Sequence, residues 1–197
     1  MSYDLFMPIE EMKAVGKWPI PWTSAMGLVP EIKKLGDDIV GCEIGTNLGI
    51  NVVYFLDHLP NIKTLYAVDP YSPYDDRITG GEFVTQELQD RIKSTFLNNI
   101  EKYKERIVFI HKTSDDALND IPDHSLDYIF IDGDHNYDAV IKDFRNYYNK
   151  VKIGGIFAGH DAFSHGVQRA LSIFVPEMNV DPQKIRVCDH QTFYWIR

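Results

Sequence analysis

The stretch D-I-V-G-C-E-I-G-T-N-L-G-I-N, from Asp38 to Asn51, decides how the rest of the chain is read. Ile39, Val40, Cys42 and Ile44 form a short apolar, β-rich run of the length of a buried strand, and Gly45 to Gly49 follow with turn and cap chemistry. The pattern is strand, tight loop, helix. Thr46 or Asn47 is placed to cap the helix, whose apolar positions Val52, Phe55, Leu56 and Leu59 recur at helical spacing. Gly45 lets the backbone turn without a Cβ and come close to a ligand, and Glu43 at the strand's end adds a carboxylate. A G-x-G-x-x-G loop would offer helix N–H groups to a pyrophosphate. Here E-x-G-x-x-x-G sets an acid beside the loop, which repels phosphate, so the expected ligand carries positive charge and a nicotinamide oxidoreductase is disfavoured.

Around this stretch, 197 residues suffice for one well-buried core and are short for two independent ones. No apolar run is long enough to span a bilayer, and M-S-Y-D-L-F-M-P-I-E-E lacks a basic segment followed by an apolar core, so the expectation is a cytoplasmic protein with no membrane partner. Cys42 and Cys188 give no framework pattern and read as free thiols in a reducing compartment. A formal net charge of −9 argues against nucleic acid, whose affinity comes mostly from Lys and Arg, and favours a small molecule or sugar. A homo-oligomer is compatible with all of this.

Prolines at 8, 19 and 21 make residues 1–22 an irregular arm, with a short helix around Pro8 to Val15 and bulky aromatics able to fold over a site or pad the sheet edge. Leu28, Val29, Ile32 and Leu35 suggest a helix over Thr23 to Leu35 with Pro30 in its first turn. Thr64 to Val68 is a second strand ending at Asp69-Pro70-Tyr71. An acid there, about twenty residues after the glycine loop, is placed to take the two hydroxyls of a ribose. Residues 71–85 form a polar, Gly- and Pro-containing insertion, expected to act as a lid with Tyr71, Tyr74 and Arg77 as contacts. Leu88, Ile92, Phe96, Ile100 and Tyr103 mark a helix, and Ile107 to Ile110 a third strand. Ser114 or Asp115 then reads as a cap.

Leu126 to Ile131 is a fourth strand that delivers D-G-D-H-N-Y, and a fifth, Gly155 to Ala158, delivers Gly159-His160-Asp161. Between them a helix carries Tyr137, Val140, Ile141, Phe144 and Tyr148 on one face and is expected to end at Gly154-Gly155. In a parallel α/β sheet neighbouring strand ends open into one crevice, so Asp132, Asp134, His135, His160 and Asp161 can converge. Clustered carboxylates need a proton or a cation among them; oxygen ligands suit magnesium or calcium, and imidazoles tilt the preference toward manganese, iron or zinc.

Glu43, Gly45 and Gly49 resemble the first motif of class I S-adenosylmethionine-dependent methyltransferases, whose ligand carries an amino group and a sulfonium. The phrase F-I-D-G-D-H-N-Y-D-A-V followed by G-G-I-F-A-G-H-D resembles the macrocin O-methyltransferase-like family, which includes sugar O-methyltransferases of antibiotic pathways, and is distantly similar to catechol O-methyltransferase. The resemblance runs from about Gly41 to Asp161. It implies an α/β fold: a single Rossmann-like methyltransferase domain over 37–197, with a seven-stranded, mostly parallel sheet, the last strand antiparallel, and helices on both faces. Residues 1–36 would be an arm and helix packed on that core. The last two strands would be Lys184 to Cys188 and Thr192 to Ile196, after a helix carrying Val167, Ala170, Leu171 and Phe174.

For the site, the resemblance implies that S-adenosylmethionine is held by Glu43, Gly45, Thr46, Asn47 and Gly49, by Asp69 and Pro70, by Ser114 and Asp115 around the adenine, and by Asp132. In that family the first aspartate of D-G-D holds a metal and the second acts as base, which gives Asp132 and Asp134 those roles. The pair after the next strand maps onto His160 and Asp161, so the metal set is Asp132, His160 and Asp161, with magnesium or manganese as the ion. The sugar enzymes carry two acids at that pair, and His160 departs from them. His135 lies where the catechol enzymes place a catalytic lysine and is the alternative base. The implied reaction is O-methylation of a sugar or small metabolite at a vicinal diol. A metal-independent methyltransferase and a non-catalytic cofactor-binding protein are the competing readings.

Overall fold

A computed structural model describes residues 6–21, 23–75, 83–189 and 191–197. After Pro8, α1 (Ile9–Ala14) buries Ile9 and Met12, and the Ile9 N–H donates to Asn99 Oδ1 at 2.9 Å. The helix expected over 23–35 begins later: a 3₁₀ turn at Met26–Leu28 leads into α2 (Val29–Ile32), with Pro30 in its first turn, and a second 3₁₀ turn closes it at Lys33–Leu35. The reading frame set by Asp38 to Asn51 then holds, as β1 (Ile39–Ile44) is followed by α3 (Ile50–His58). Next come β2 (Ile62–Val68) and the short antiparallel pair β3 (Tyr74–Asp75) and β4 (Phe83–Val84). Thr85 caps α4 (Gln86–Ile100), its hydroxyl accepting from the Leu88 N–H.

The second half alternates β5 (Ile107–Ile110), β6 (Leu126–Ile131), α5 (Tyr137–Tyr148), β7 (Val151–Gly159) and α6 (His165–Glu177) before β8 (Arg186–Cys188) and β9 (Thr192–Ile196). The strands lie in the order β5-β2-β1-β6-β7-β9-β8. The first five are parallel, and β9 enters antiparallel between β7 and β8. The expected sheet, with its last strand reversed, is therefore the one present. Cys42 in β1 is buried, Cys188 in β8 is half-buried, and both are free.

Each face of the sheet is sealed by aromatics. Toward α5 and α6, Phe144, Phe157, Phe174, Phe193 and Trp195 pack ring on ring, with Phe157 and Trp195 centroids 4.7 Å apart. Toward α3 and α4 the corresponding layer is Phe55, Phe96, Tyr128 and Phe130. Gly154 and Gly155 do not end α5, as expected, but lie inside β7; the helix stops at Tyr148 with Asn149 as its cap. Gly154 has φ +86°, and the β6–β7 register slips between Leu126 and Tyr128, so the pair makes a bulge. Among the described residues no helix is long and apolar enough to cross a membrane.

What positions the site is the common ending of the parallel strands. The residue after each strand adds one more ladder bond to its neighbour: Gly45 N–H to Val68 O (2.9 Å), Asp69 N–H to Ile110 O (3.2 Å), Asp132 N–H to Ile44 O (2.8 Å) and His160 N–H to Ile131 O (3.0 Å). Gly45, Asp69, Asp132 and His160 thus leave the sheet along one rim, the carboxyl edge where open α/β sheets hold ligands.

Candidate active site

The loop after β1 turns through three left-handed residues, Gly45 (φ +83°), Asn47 (φ +45°) and Gly49 (φ +77°). A Cβ on Gly45 would lie 2.3 Å from the carbonyl oxygen of Asp132, so the loop is pressed directly on the Asp132–Gly133 backbone. Neither Thr46 nor Asn47 caps α3, contrary to expectation. The cap position is Gly49, with no side-chain bond, because Thr46 Oγ1 is engaged 3.0 Å from the Tyr71 hydroxyl and Asn47 contributes backbone groups instead. The Asn47 N–H donates to Asp69 Oδ2 at 2.9 Å, and its carbonyl accepts from the Tyr71 hydroxyl at 2.7 Å.

Asp69 holds the loop with one oxygen and takes the Tyr71 N–H with the other at 2.8 Å, and the Thr46 backbone also acts on the carboxylate. Burial raises its pKa against the backbone bonds that lower it. Tyr71 is not the exposed lid contact expected of it. It is 2% exposed, sits against Phe96, Phe109 and His111, and buttresses the glycine loop. Tyr74 is exposed in β3, and Arg77 lies outside the described residues.

After β5, neither Ser114 nor Asp115 caps a helix as expected: the 3₁₀ turn Leu118–Asp120 has Ala117 at its cap position with no side-chain bond, and in the turn before it the Thr113 hydroxyl accepts from the Asp116 N–H at 3.2 Å. Helix α5 grips the two residues after Thr113. Lys142 Nζ lies 2.6 Å from Asp115 Oδ2, the Asn146 amide donates to Asp115 Oδ1 at 3.1 Å, and the Tyr147 hydroxyl donates to Ser114 O at 2.6 Å. Asp143 on the same helix is buried, which pushes its pKa to about 6 against the lowering effect of Ser114.

At the centre of the rim, Asp132, His135, His160 and Asp161 come together. His135 Nε2 is 2.8 Å from Asp161 Oδ2 and 4.0 Å from Asp132 Oδ1; His160 Nδ1 is 3.2 Å and 3.5 Å from the same two oxygens. The hydrogen bond to Asp161 raises the His135 pKa. Burial pulls His160 down, but Asp132 and Asp161 outweigh it and raise it to about 10. Burial works on Asp161 in the opposite sense to the two imidazoles, which prevail and hold it below the usual carboxylate range. Asp161 also sits at φ +54°, a left-handed conformation unusual for a non-glycine residue.

Asp134 stands apart. It is exposed, and its Oδ1 accepts from both the backbone and the side-chain N–H of Asn136, at 2.8 and 2.7 Å, in a turn that starts α5. For a cation, Asp132, His135 and Asp161 can each bring one ligand atom within 4.8 Å of the others, and Nδ1 of His160, the ligand expected from the sequence, lies 3.5 and 3.2 Å from oxygens of the same two carboxylates. An O, N, O donor set of this kind fits a divalent ion.

Beneath the cluster, Glu43 is 1% exposed; its Oε1 accepts weakly from the Asn51 amide at 3.4 Å, and its Oε2 has no partner. Burial first, and then the charge of Asp132, push its pKa well above the carboxylate range. Ser24 and Asn51 are two site residues that sequence reasoning passed over. Asn51 had a signal: it falls on the stripe of Phe55 and Leu59, so a polar side chain is carried on the apolar face of α3. Ser24 carried none.

Residues 42–162, more than half of the chain, match the family model Methyltransf_24, a methyltransferase domain. The uncharacterized protein R132 of Acanthamoeba polyphaga mimivirus is 33% identical over 130 residues, which cover 64% of this chain and 52% of that protein. The chain thus spans about half the length of that curated relative. Among solved structures, the O-methyltransferase NovP aligns with a TM-score of 0.64 at 16% identity, covering 96% of this chain and 80% of that one. An O-methyltransferase from Bacillus cereus in complex with SAH aligns at 0.62 and 14%, covering 96% and 89%. A precorrin 8w decarboxylase from Methanobacterium thermoautotrophicum aligns at 0.58 and 16%, covering 87% and 90%. At these identities the three share its fold.

Proposed function

The chain belongs to the Methyltransf_24 family of methyltransferase domains, and we propose from this that it transfers the methyl group of S-adenosylmethionine to a hydroxyl of a sugar or small metabolite. The observation that carries the reading is the meeting of the glycine loop, Asp69 and the Asp132–His135–Asp161 cluster on one rim of the sheet.

Glu43, buried with one unpartnered oxygen, is suited to a ligand ammonium, which would supply the counter-charge that burial denies it. Gly45 brings backbone to the ligand, and the Asp69 carboxylate, fixed at the strand end by backbone donors, suits the hydroxyls of a ribose. Ser114 and Asp115, fixed by α5, would border the adenine.

In the transfer, the acceptor oxygen forms a bond to the methyl carbon as the carbon–sulfur bond breaks, and the hydroxyl proton passes to a base. A divalent ion, magnesium or manganese, held by Asp132, His135 and Asp161, would lower the pKa of the acceptor hydroxyl. His135 is then a ligand, and Asp134, the base that the resemblance implies, would take the proton through the oxygen that Asn136 does not hold. A second reading is favoured by the pairing itself. Two imidazoles with raised pKa already balance Asp132 and Asp161, so His135, oriented by Asp161, can serve as base without an ion once it is neutral.

Calorimetric titration with S-adenosylmethionine and S-adenosylhomocysteine, in EDTA and then with added magnesium or manganese, tests the reading. Stoichiometric cofactor binding is expected, together with a metal heat that Asp132→Ala abolishes. Absence of cofactor binding in either buffer overturns the methyltransferase reading. Cofactor binding with no metal heat selects the second version.

A further inference from the structure

We propose that Ser24 and Asn51 are positioning residues that fix the orientation of the Asp132 carboxylate. The inference rests on the reading of Asp132 as the carboxylate of the reaction centre.

Three distant parts of the chain meet here. Ser24 lies between the arm and α2, Asn51 in the first turn of α3, and Asp132 at the end of β6. Ser24 and Asn51 are both buried. Asn51 Oδ1 faces three donors: the Ser24 N–H at 3.1 Å, the Ala25 N–H at 3.2 Å and the Ser24 hydroxyl at 3.2 Å. The two backbone donors fix which end of the amide is oxygen, and they use its two lone pairs. The serine proton is therefore free to go elsewhere, and Asp132 Oδ2 lies 3.3 Å from Ser24 Oγ. The Asn51 amide then donates to Ser24 Oγ at 3.0 Å, and reaches Asp132 Oδ2 and Glu43 Oε1 at 3.4 Å each.

These bonds give the relay a direction, from the Asn51 amide to the Ser24 oxygen and from the Ser24 hydroxyl to Asp132. The effect is to divide the carboxylate. Oδ2 is held by neutral donors from the N-terminal side, and Oδ1 is turned toward His160 and His135. Ser24 is in turn fixed from behind, since its carbonyl accepts from the fully buried Thr192 Oγ1 at 2.7 Å.

The test is to determine crystal structures of wild type, Ser24→Ala, Ser24→Thr and Asn51→Leu, with and without S-adenosylhomocysteine, and to measure its affinity for each by calorimetry. In Ser24→Ala the Asp132 side chain is expected to populate a second orientation, its ratio shifting on the order of tenfold for one lost bond to a charged group. Ser24→Thr restores the original orientation, and Asn51→Leu reproduces the turn by releasing Ser24.

An unmoved Asp132 in Ser24→Ala overturns the proposal, as does a turn that Ser24→Thr fails to reverse, which would assign the effect to packing. Loss of cofactor binding in Ser24→Ala with Asp132 unmoved would also overturn it, by making Ser24 part of the cofactor site. Absence of cofactor binding in wild type strikes the methyltransferase reading instead, while the comparison of ligand-free crystals still decides the positioning role.

Discussion

His135 and Asp161 meet at 2.8 Å, Nε2 to Oδ2, across the mouth of the loop that follows β6. With His160 on the same carboxylate oxygen at 3.2 Å, Asp161 is the hinge of the cluster's charge balance. The raised imidazole pKa values stabilise the fold fully below about pH 6.5, the unfolded value, and that stabilisation is lost as pH climbs through the folded values, about 10 for His160. In EDTA, urea midpoints of the wild type should therefore fall on going from about pH 6 to about pH 10. Asp161→Asn should show a shallower fall, and ring titrations by NMR should place both histidines lower. An unchanged slope would mean that the pair is not formed in solution.

Gly45→Ala puts a methyl group 2.3 Å from the Asp132 carbonyl at a residue with φ +83°. Crowding and the left-handed backbone together should cost about 1–3 kcal/mol in urea unfolding. Cofactor binding should weaken more than stability, since the displaced atoms line the crevice; a variant that binds S-adenosylhomocysteine like wild type would refute the close-packed loop.

Tyr71→Phe removes the hydroxyl that donates to Asn47 O and meets Thr46 Oγ1 while leaving the ring in its aromatic cluster. Stability should drop by about 1–2 kcal/mol, and cofactor affinity several-fold, because the glycine loop loses its buttress. Calorimetry on the variant checks both parts, and full retention of affinity would return Tyr71 to the role of core filler.

Asp143 is raised from 3.8 to about 6 by burial, so the folded chain holds its proton more tightly than the unfolded one. Its contribution to stability is present below the unfolded value and is lost as pH rises through about 6. The difference corresponds to about 3 kcal/mol at neutral pH, an upper figure. Asp143→Asn should be more stable than wild type at neutral pH and show a flatter profile through the window from 3.8 to about 6. Denaturant melts across that window decide it; parallel profiles would show that Asp143 ionises without penalty.

The sheet and the site's outline were legible because each rests on local pattern. Ile39 to Ile44 has the length and β-branching of a buried strand, and the acids at 69, 132 and 161 stand where strands end. What the pattern misplaced depended on partners from elsewhere. Thr46 has the chemistry of a cap, but Tyr71, 25 residues away, claims its hydroxyl. Gly154 and Gly155 look like a helix stop, yet the chain uses them inside β7, where Gly155 must approach the Asp127 carbonyl: a Cβ would meet it at 2.7 Å. Ser24 could not be found locally at all, since its meaning comes from Asn51, Asp132 and Thr192.

The bond from Thr192 to the Ser24 carbonyl joins residues 168 positions apart. Thr192 opens β9, the strand that slots between β7 and β8. On a chain emerging from the ribosome, the segment that steadies Asp132 is made early, and its anchor arrives after nearly every other element of the sheet. The crevice therefore gains its finished shape only once β9 has been made, so a nascent chain exposes the acid cluster before it can hold it in order.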